Sequence, residues 1–182
     1  MFLSDRNTGA SLRPVEWEDL PRLAEWRNTP ELRLRTREFR PLTGADQADW
    51  FERITGPNRH DFMFVVETPN EIGAGRASVG VVGLCHWEAR DRTAEVSFYI
   101  GDESARGKGV ATAALGLLHD YGFLELGLVR IWAECYEFNE PGIKLLKSLG
   151  YIEEGRLRKH VYRNGARHDS IMLGIAAEEW RT

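Results

Sequence analysis

The feature that most constrains this chain is a strand that runs through a glycine-rich loop into an apolar helix, over residues 94–124. Val96, Phe98 and Ile100 alternate with Ser97 and Tyr99, the period of a half-buried strand. Gly101 breaks the run. After Arg106, Gly107, Lys108 and Gly109, residues Val110, Ala114, Leu117, Leu118, Tyr121 and Leu124 recur with helical spacing, so one face of that helix is apolar. Glycines at the start of a helix let a ligand approach the backbone closely. The first N–H groups of the helix lack internal partners, and the helix dipole there favours negative charge. With Arg106 and Lys108 beside it, the loop reads as a cradle for a pyrophosphate. It is neither a P-loop, which needs Gly-Lys-Ser/Thr, nor a dinucleotide fingerprint, whose third glycine is replaced here by Thr112. The plainer alternative is a glycine-rich helix start with exposed basic residues.

Composition narrows the class. At 182 residues the chain is long enough for one domain with a sizeable core. A net charge of −4 argues against a nucleic-acid partner bound through a basic surface. No apolar run approaches a membrane span, and the first ten residues have no signal-like core. Cys85 and Cys135 are the only cysteines, and without an export signal they read as free thiols of a cytoplasmic protein. No Cys/His cluster has metal-ligand spacing, so no metal is expected.

Read in order, the spacing predicts a short strand over 11–15, a helix over 16–28, an arginine-rich connector over 31–40, and a second helix capped by Thr43 and running to about 54. Strands follow over 62–67, 77–87 and 93–100, then the long helix, a strand over 129–136, and a short helix from Asn139 to Leu149. Two last strands, over 151–161 and 170–175, meet near Asn164-Gly165. This α-α-βββ-α-β-α-ββ order predicts an α/β (α+β) fold. Its mixed, mostly antiparallel central sheet has about seven strands and helices on both faces.

Arg106-x-x-Gly109-x-Ala111, after a strand and opening an apolar helix, resembles the acyl-CoA motif of the GCN5-related N-acetyltransferases (GNAT). The likeness extends over almost the whole chain, as a single domain over 1–182. Leu12-Arg13-Pro14, Trp26-Arg27-Asn28, Ala94-Glu95, Tyr121-Gly122-Phe123, Asn139, Leu149-Gly150-Tyr151, Glu154-Gly155-Arg156 and Asp169 resemble the RimJ/RimL-like branch. The resemblance implies bound acetyl-CoA. Its pantetheine arm would pair with the backbone of Tyr99, Ile100 and Gly101. Its pyrophosphate would be held by N–H groups from Gly107 through Lys108, Gly109, Val110 and Ala111 to Thr112, and Asn139 would reach the pantetheine. The plainer role for Asn139 is a helix N-cap.

The chemistry implied is acetyl transfer to a primary amine. Such an amine has a pKa near ~10.4 and must lose a proton before it attacks the thioester. Glu95 matches the family glutamate and is the expected general base; His86 on the neighbouring strand is the second choice. Relatives protonate the leaving thiolate with a tyrosine in the later helix or a serine three residues after the asparagine. Here those positions are Leu146 and Gly142, which leaves Tyr136 as a substitute and motivates the opposing reading of a non-catalytic acyl-CoA-binding module. The acceptor side would involve Trp26, Arg27, Asn28, Arg33, Arg35, Arg37 and Trp50. Aromatic rings with arginines suit a flat or anionic group, and a nucleotide-linked amino sugar is the first expectation, with a protein N-terminus as the main alternative. A polyamine is disfavoured at this stage, because a polycation would be repelled by the arginines. A homodimer is left open.

Overall fold

The computed structural model describes residues 3–5, 7–70 and 74–180. One eight-stranded sheet holds them together. Its strands are β1 (Leu3–Ser4), β2 (Ser11–Pro14), β3 (Phe62–Pro69), β4 (Arg76–Glu88), β5 (Thr93–Ile100), β6 (Arg130–Tyr136), β7 (Ile152–Arg163) and β8 (Ala166–Ala176), in the spatial order β1-β2-β3-β4-β5-β6-β8-β7. The eighth strand beyond the expected seven is β1, two residues and too short for any periodicity to announce. Every pairing is antiparallel except β5 with β6.

Successive residues of a strand face opposite sides, and the core divides accordingly. Val66 and Val82 point to a first cluster with Leu84, Val96, Leu115, Leu118, Ile131 and Leu173, covered by α4 (Val110–Asp120) and α5 (Glu140–Ser148). Val65 and Val81 point to a second, with Leu20, Leu23, Trp26, Leu32 and Ile54, under α1 (Leu20–Arg27), α2 (Pro30–Arg35) and α3 (Gly44–Thr55). Thr43 caps α3 as expected. Its hydroxyl accepts from Asp46 N at 3.2 Å, and the Asp46 carboxylate returns the bond to Thr43 N at 2.7 Å.

Three expectations are corrected. The first helix begins as a 3-10 turn over Trp17–Asp19 before α1. Half of the arginine-rich connector is the helix α2, started by Pro30 and the Thr29 cap. Leu124, expected on the apolar face, is exposed, because α4 runs into a π turn over Tyr121–Glu125 that shifts the register and turns Phe123 inward instead. No helix among the described residues is long and apolar enough to cross a membrane.

Candidate active site

The parallel pair sets the geometry. β5 and β6 are in register only at Thr93/Arg130, Ala94/Ile131 and Glu95/Trp132, and beyond Glu95 the strands splay apart. A cavity of about 280 Å³ lies in the splay, lined by Glu95, Phe98, Glu134, Tyr136 and Asn139 among others. The Arg92 carbonyl accepts from Val129 N on the β6 side, and the Gly101 N–H donates to Val79 on β4. Strand alternation then turns the backbone groups of Val96, Phe98 and Ile100 into the splay and those of Tyr99 toward β4. Of the expected pantetheine partners, Ile100 therefore faces the splay, with its carbonyl accepting from Arg106 Nε at 3.2 Å, while the Gly101 N–H is engaged elsewhere.

The loop before α4 has the glycine conformations that a close backbone approach requires. Gly107 and Gly109 have φ of 72° and 77°, left-handed values that side chains resist. A Cβ built at Gly107 would meet nothing within 4 Å, so there is open space above the loop. Gly109 is the N-cap of α4, its carbonyl accepting from Ala113 N, which leaves the N–H groups of Val110, Ala111 and Thr112 without intrahelical partners. Arg106 is tied elsewhere: its guanidinium pairs with Glu31 of α2 at 2.8 Å. Asn139 makes no side-chain cap bond to α5, so its amide is not committed to the helix end.

At the apex of the splay Glu95 is 6% exposed. Arg37 clasps its carboxylate at 2.6 and 2.8 Å and reaches Glu134 on β6 at 3.0 Å. The two carboxylates hold the Arg37 guanidinium above its usual pKa, against the cost of burial. Burial alone would raise Glu134, but the Ser170 hydroxyl and Arg37 outweigh it and keep its carboxyl below the usual value. His160 lies 3.0 Å from the other Glu134 oxygen. His86, exposed on a bulge of β4 with φ of 52°, brings Nε2 within 3.5 Å of Glu95 and of Arg37. The ring is adjacent but too far for a strong hydrogen bond. Both expected bases thus meet. Glu134 was missed; its one signal was a carboxylate in the middle of an otherwise apolar strand.

Tyr136 is buried at the far side of this cavity. Burial raises its pKa and keeps the hydroxyl protonated, and Arg163 donates to it at 3.3 Å while lying over its ring. Leu146 is fully buried in the core. A Cβ at Gly142 would come within 2.6 Å of the Asn139 amide, so a serine there would displace Asn139.

The expected acceptor residues divide. Arg27 and Trp50 line a second cavity of about 380 Å³ on the α1/α3 side of the sheet. Arg27, Glu38, Cys85 and Ser97 line both cavities, so the two are neighbours that share a wall. Trp26 is corrected: it is a core residue, packed so tightly on Gly101 that any Cβ there would strike its ring. Asn28 is corrected too, because its amide clamps Leu42, accepting from Leu42 N at 2.7 Å and donating to Leu42 O at 2.9 Å. Arg33 donates to the Phe39 carbonyl, Arg35 pairs with Glu31, and Arg37 with Glu95 and Glu134. Arg35 and Arg37 are thus paired with carboxylates within the chain, and Arg33 with a neutral carbonyl. Asn28→Ala removes both Leu42 bonds, and we expect a loss of about 1–3 kcal/mol, read as a lowered urea midpoint. An unchanged midpoint would show that the clamp contributes nothing.

The Acetyltransferase (GNAT) domain family model matches residues 11–152. The chain belongs to this family. A Bacillus licheniformis N-acetyltransferase of uncharacterized function is 30% identical over 93% of this chain and 94% of its own. A putative ribosomal N-acetyltransferase of Bacillus subtilis is 29% identical over 99% and 98%. The spermidine N(1)-acetyltransferase of Escherichia coli is 28% identical over 93% and 87%. Among solved structures, a Vibrio cholerae spermidine N-acetyltransferase in complex with CoA and spermine matches with a TM-score of 0.85 at 23% identity, covering 97% of this chain and 100% of that one, a likeness of fold. This GNAT chain is thus an acetyl-CoA-dependent N-acetyltransferase, and the reading of a module without turnover gives way. Among the described residues of this acetyltransferase, no group of three or more His, Cys, Asp or Glu is arranged to hold a metal.

Proposed function

We propose that this acetyltransferase acylates a small primary amine that reaches the splay through the 380 Å³ cavity, with Glu95 as general base. The observation that carries this is that the cavity shares Arg27, Glu38, Cys85 and Ser97 with the one at whose apex Glu95 sits. Bound acetyl-CoA supplies the thioester, its pyrophosphate on the Gly107–Thr112 loop and its pantetheine along Val96 to Ile100 and against Asn139. Glu95 takes the proton of the incoming ammonium, with His86 passing it to water. The amine nitrogen bonds the acetyl carbon as the C–S bond breaks, Tyr136 gives its proton to the departing sulfur, and the second proton that the nitrogen sheds as the amide forms returns through water to the Tyr136 oxygen.

A nucleotide-linked sugar loses part of its support, since Arg35 and Arg37 are paired with carboxylates of the chain itself. The same pairing lessens the charge repulsion held against a polyamine, the acceptor named for the spermidine relatives. Placement in the RimJ/RimL-like branch is supported by the putative ribosomal relative, and the one sheet supports a single domain over 1–182. Free Cys85 and Cys135 are consistent with a cytoplasmic location. The long edge strand β7, with Ile152, Leu157 and Tyr162 exposed, is a surface on which a homodimer could form.

Thiol release from acetyl-CoA across small amines, polyamines, amino sugar nucleotides and peptides tests the reading. Turnover confined to nucleotide-linked sugars would overturn it. For the cradle, Gly109→Val forces a branched residue into a left-handed conformation at the loop. CoA affinity by calorimetry should fall at least about tenfold, equivalent to about 1.4 kcal/mol. Parent-like affinity would place the pyrophosphate elsewhere.

A further inference from the structure

Two residues that line the acceptor cavity, Gln47 and Arg27, each hold a buried polar atom with no partner in the protein: Oε1 of Gln47 and Nε of Arg27. Gln47 is 5% exposed, on the first turns of α3. Arg27 lies with its guanidinium 5.9 Å from the centre of the Tyr99 ring. Leaving such groups unpaired is costly, and a bound molecule that pairs both recovers the loss. The molecule must therefore offer an N–H to Gln47 and a carbonyl-type oxygen to Arg27. A carboxylate alone offers no N–H and an ammonium alone offers no acceptor, whereas a carboxamide offers both in one neutral group.

Charge points the same way. Three arginines (Arg27, Arg40, Arg53) and three carboxylates (Glu38, Asp46, Asp49) line the cavity. The lining is balanced, and a neutral dipole fits it better than a net charge of either sign. Leu23, Met63 and Val81 supply apolar wall beside the polar pair.

We propose that Gln47 and Arg27 select amines that carry a carboxamide: the amide N–H donates to Gln47, its carbonyl accepts from Arg27, and the amine extends toward Glu95. This rests on the acceptor entering by this cavity. The pairing survives exchange of the Gln47 amide atoms, since an amide is complementary to an amide in either sense. A free amino amide and the first peptide bond of a chain share this chemistry.

The test compares kcat/KM for alaninamide, trialanine and 1,3-diaminopropane with acetyl-CoA saturating. At least one carboxamide should exceed the diamine by about tenfold or more, the discrimination available to a site built to hydrogen-bond its substrate. Which of the two leads identifies the source, and either supports the proposal. Gln47→Met should cut the carboxamide-to-diamine ratio about tenfold, mainly through KM. Gln47→Glu accepts only and adds negative charge, so it should raise diamine turnover while lowering carboxamide turnover, a gain that misfolding could not produce. A parent that prefers the diamine, or a ratio unmoved in both variants, overturns the proposal alone. Acetylation of none of the three, with other amines acetylated, overturns the cavity assignment beneath it as well.

Discussion

Glu95→Gln should lower kcat by about 10²–10⁴, the range of a general base, while CoA binds as in the parent. The amide keeps the size of the carboxylate and can still accept from Arg37, so the apex should stay packed. What is lost is the group that takes a proton. The charge of Glu95 is also half of what neutralises Arg37, and Glu134 holds the other side. A purely structural Glu95 would therefore show its loss in the melting temperature rather than in kcat. Measuring kcat and melting temperature on the same variant distinguishes the two roles. A loss below about threefold would move the base to His86, and His86→Gln would then carry the large effect.

The second large effect concerns stability. His119 is fully buried, stacked on Trp180 at 4.9 Å, its Nδ1–H donating to the Leu115 carbonyl and Nε2 accepting from the Tyr151 hydroxyl at 2.6 Å. Burial pushes its pKa down from 6.5 to about 4, against the opposing pull of the Leu115 carbonyl. Between those values the unfolded chain binds a proton that the native chain refuses. The contribution is complete above pH 6.5, falls as the pH drops toward 4, and is flat below. The difference corresponds to about 3 kcal/mol. Urea midpoints at pH 7 and 4.5 should reveal it as a steep acid loss. His119→Gln should weaken the fold at pH 7 yet flatten the dependence across this interval. An equal slope in both proteins would assign the acid sensitivity to the carboxylates.

Local chemistry was readable. The 93–100 strand, the Thr43 cap and the glycine start of α4 were all legible, because each is decided by neighbouring residues. The acceptor side was not, because its logic is long-range. Arg37 finds Glu95 across 58 positions and Glu134 across 97, so the arginine of the run that reads as open positive charge and reaches the apex is spent on partners no local reading could name. Gln47 gave no signal either: one polar residue on an amphipathic helix is indistinguishable from a solvated one until its burial is known. Trp26 misled for the opposite reason, since a tryptophan beside an arginine reads equally well as a ligand platform or as core.

The splay between β5 and β6 also bears on how the chain survives in a crowded solution. A sheet ordinarily has two edges; this one has a third and fourth in its interior, where Val96 to Ile100 and Ala133 to Tyr136 lie apart. Such edges invite a foreign strand. Here the intruder meets Glu95, Arg37 and Glu134 at the throat, a charged cluster that a foreign apolar strand would have to cover and cut off from water, so the cluster also acts as a gatekeeper against self-association.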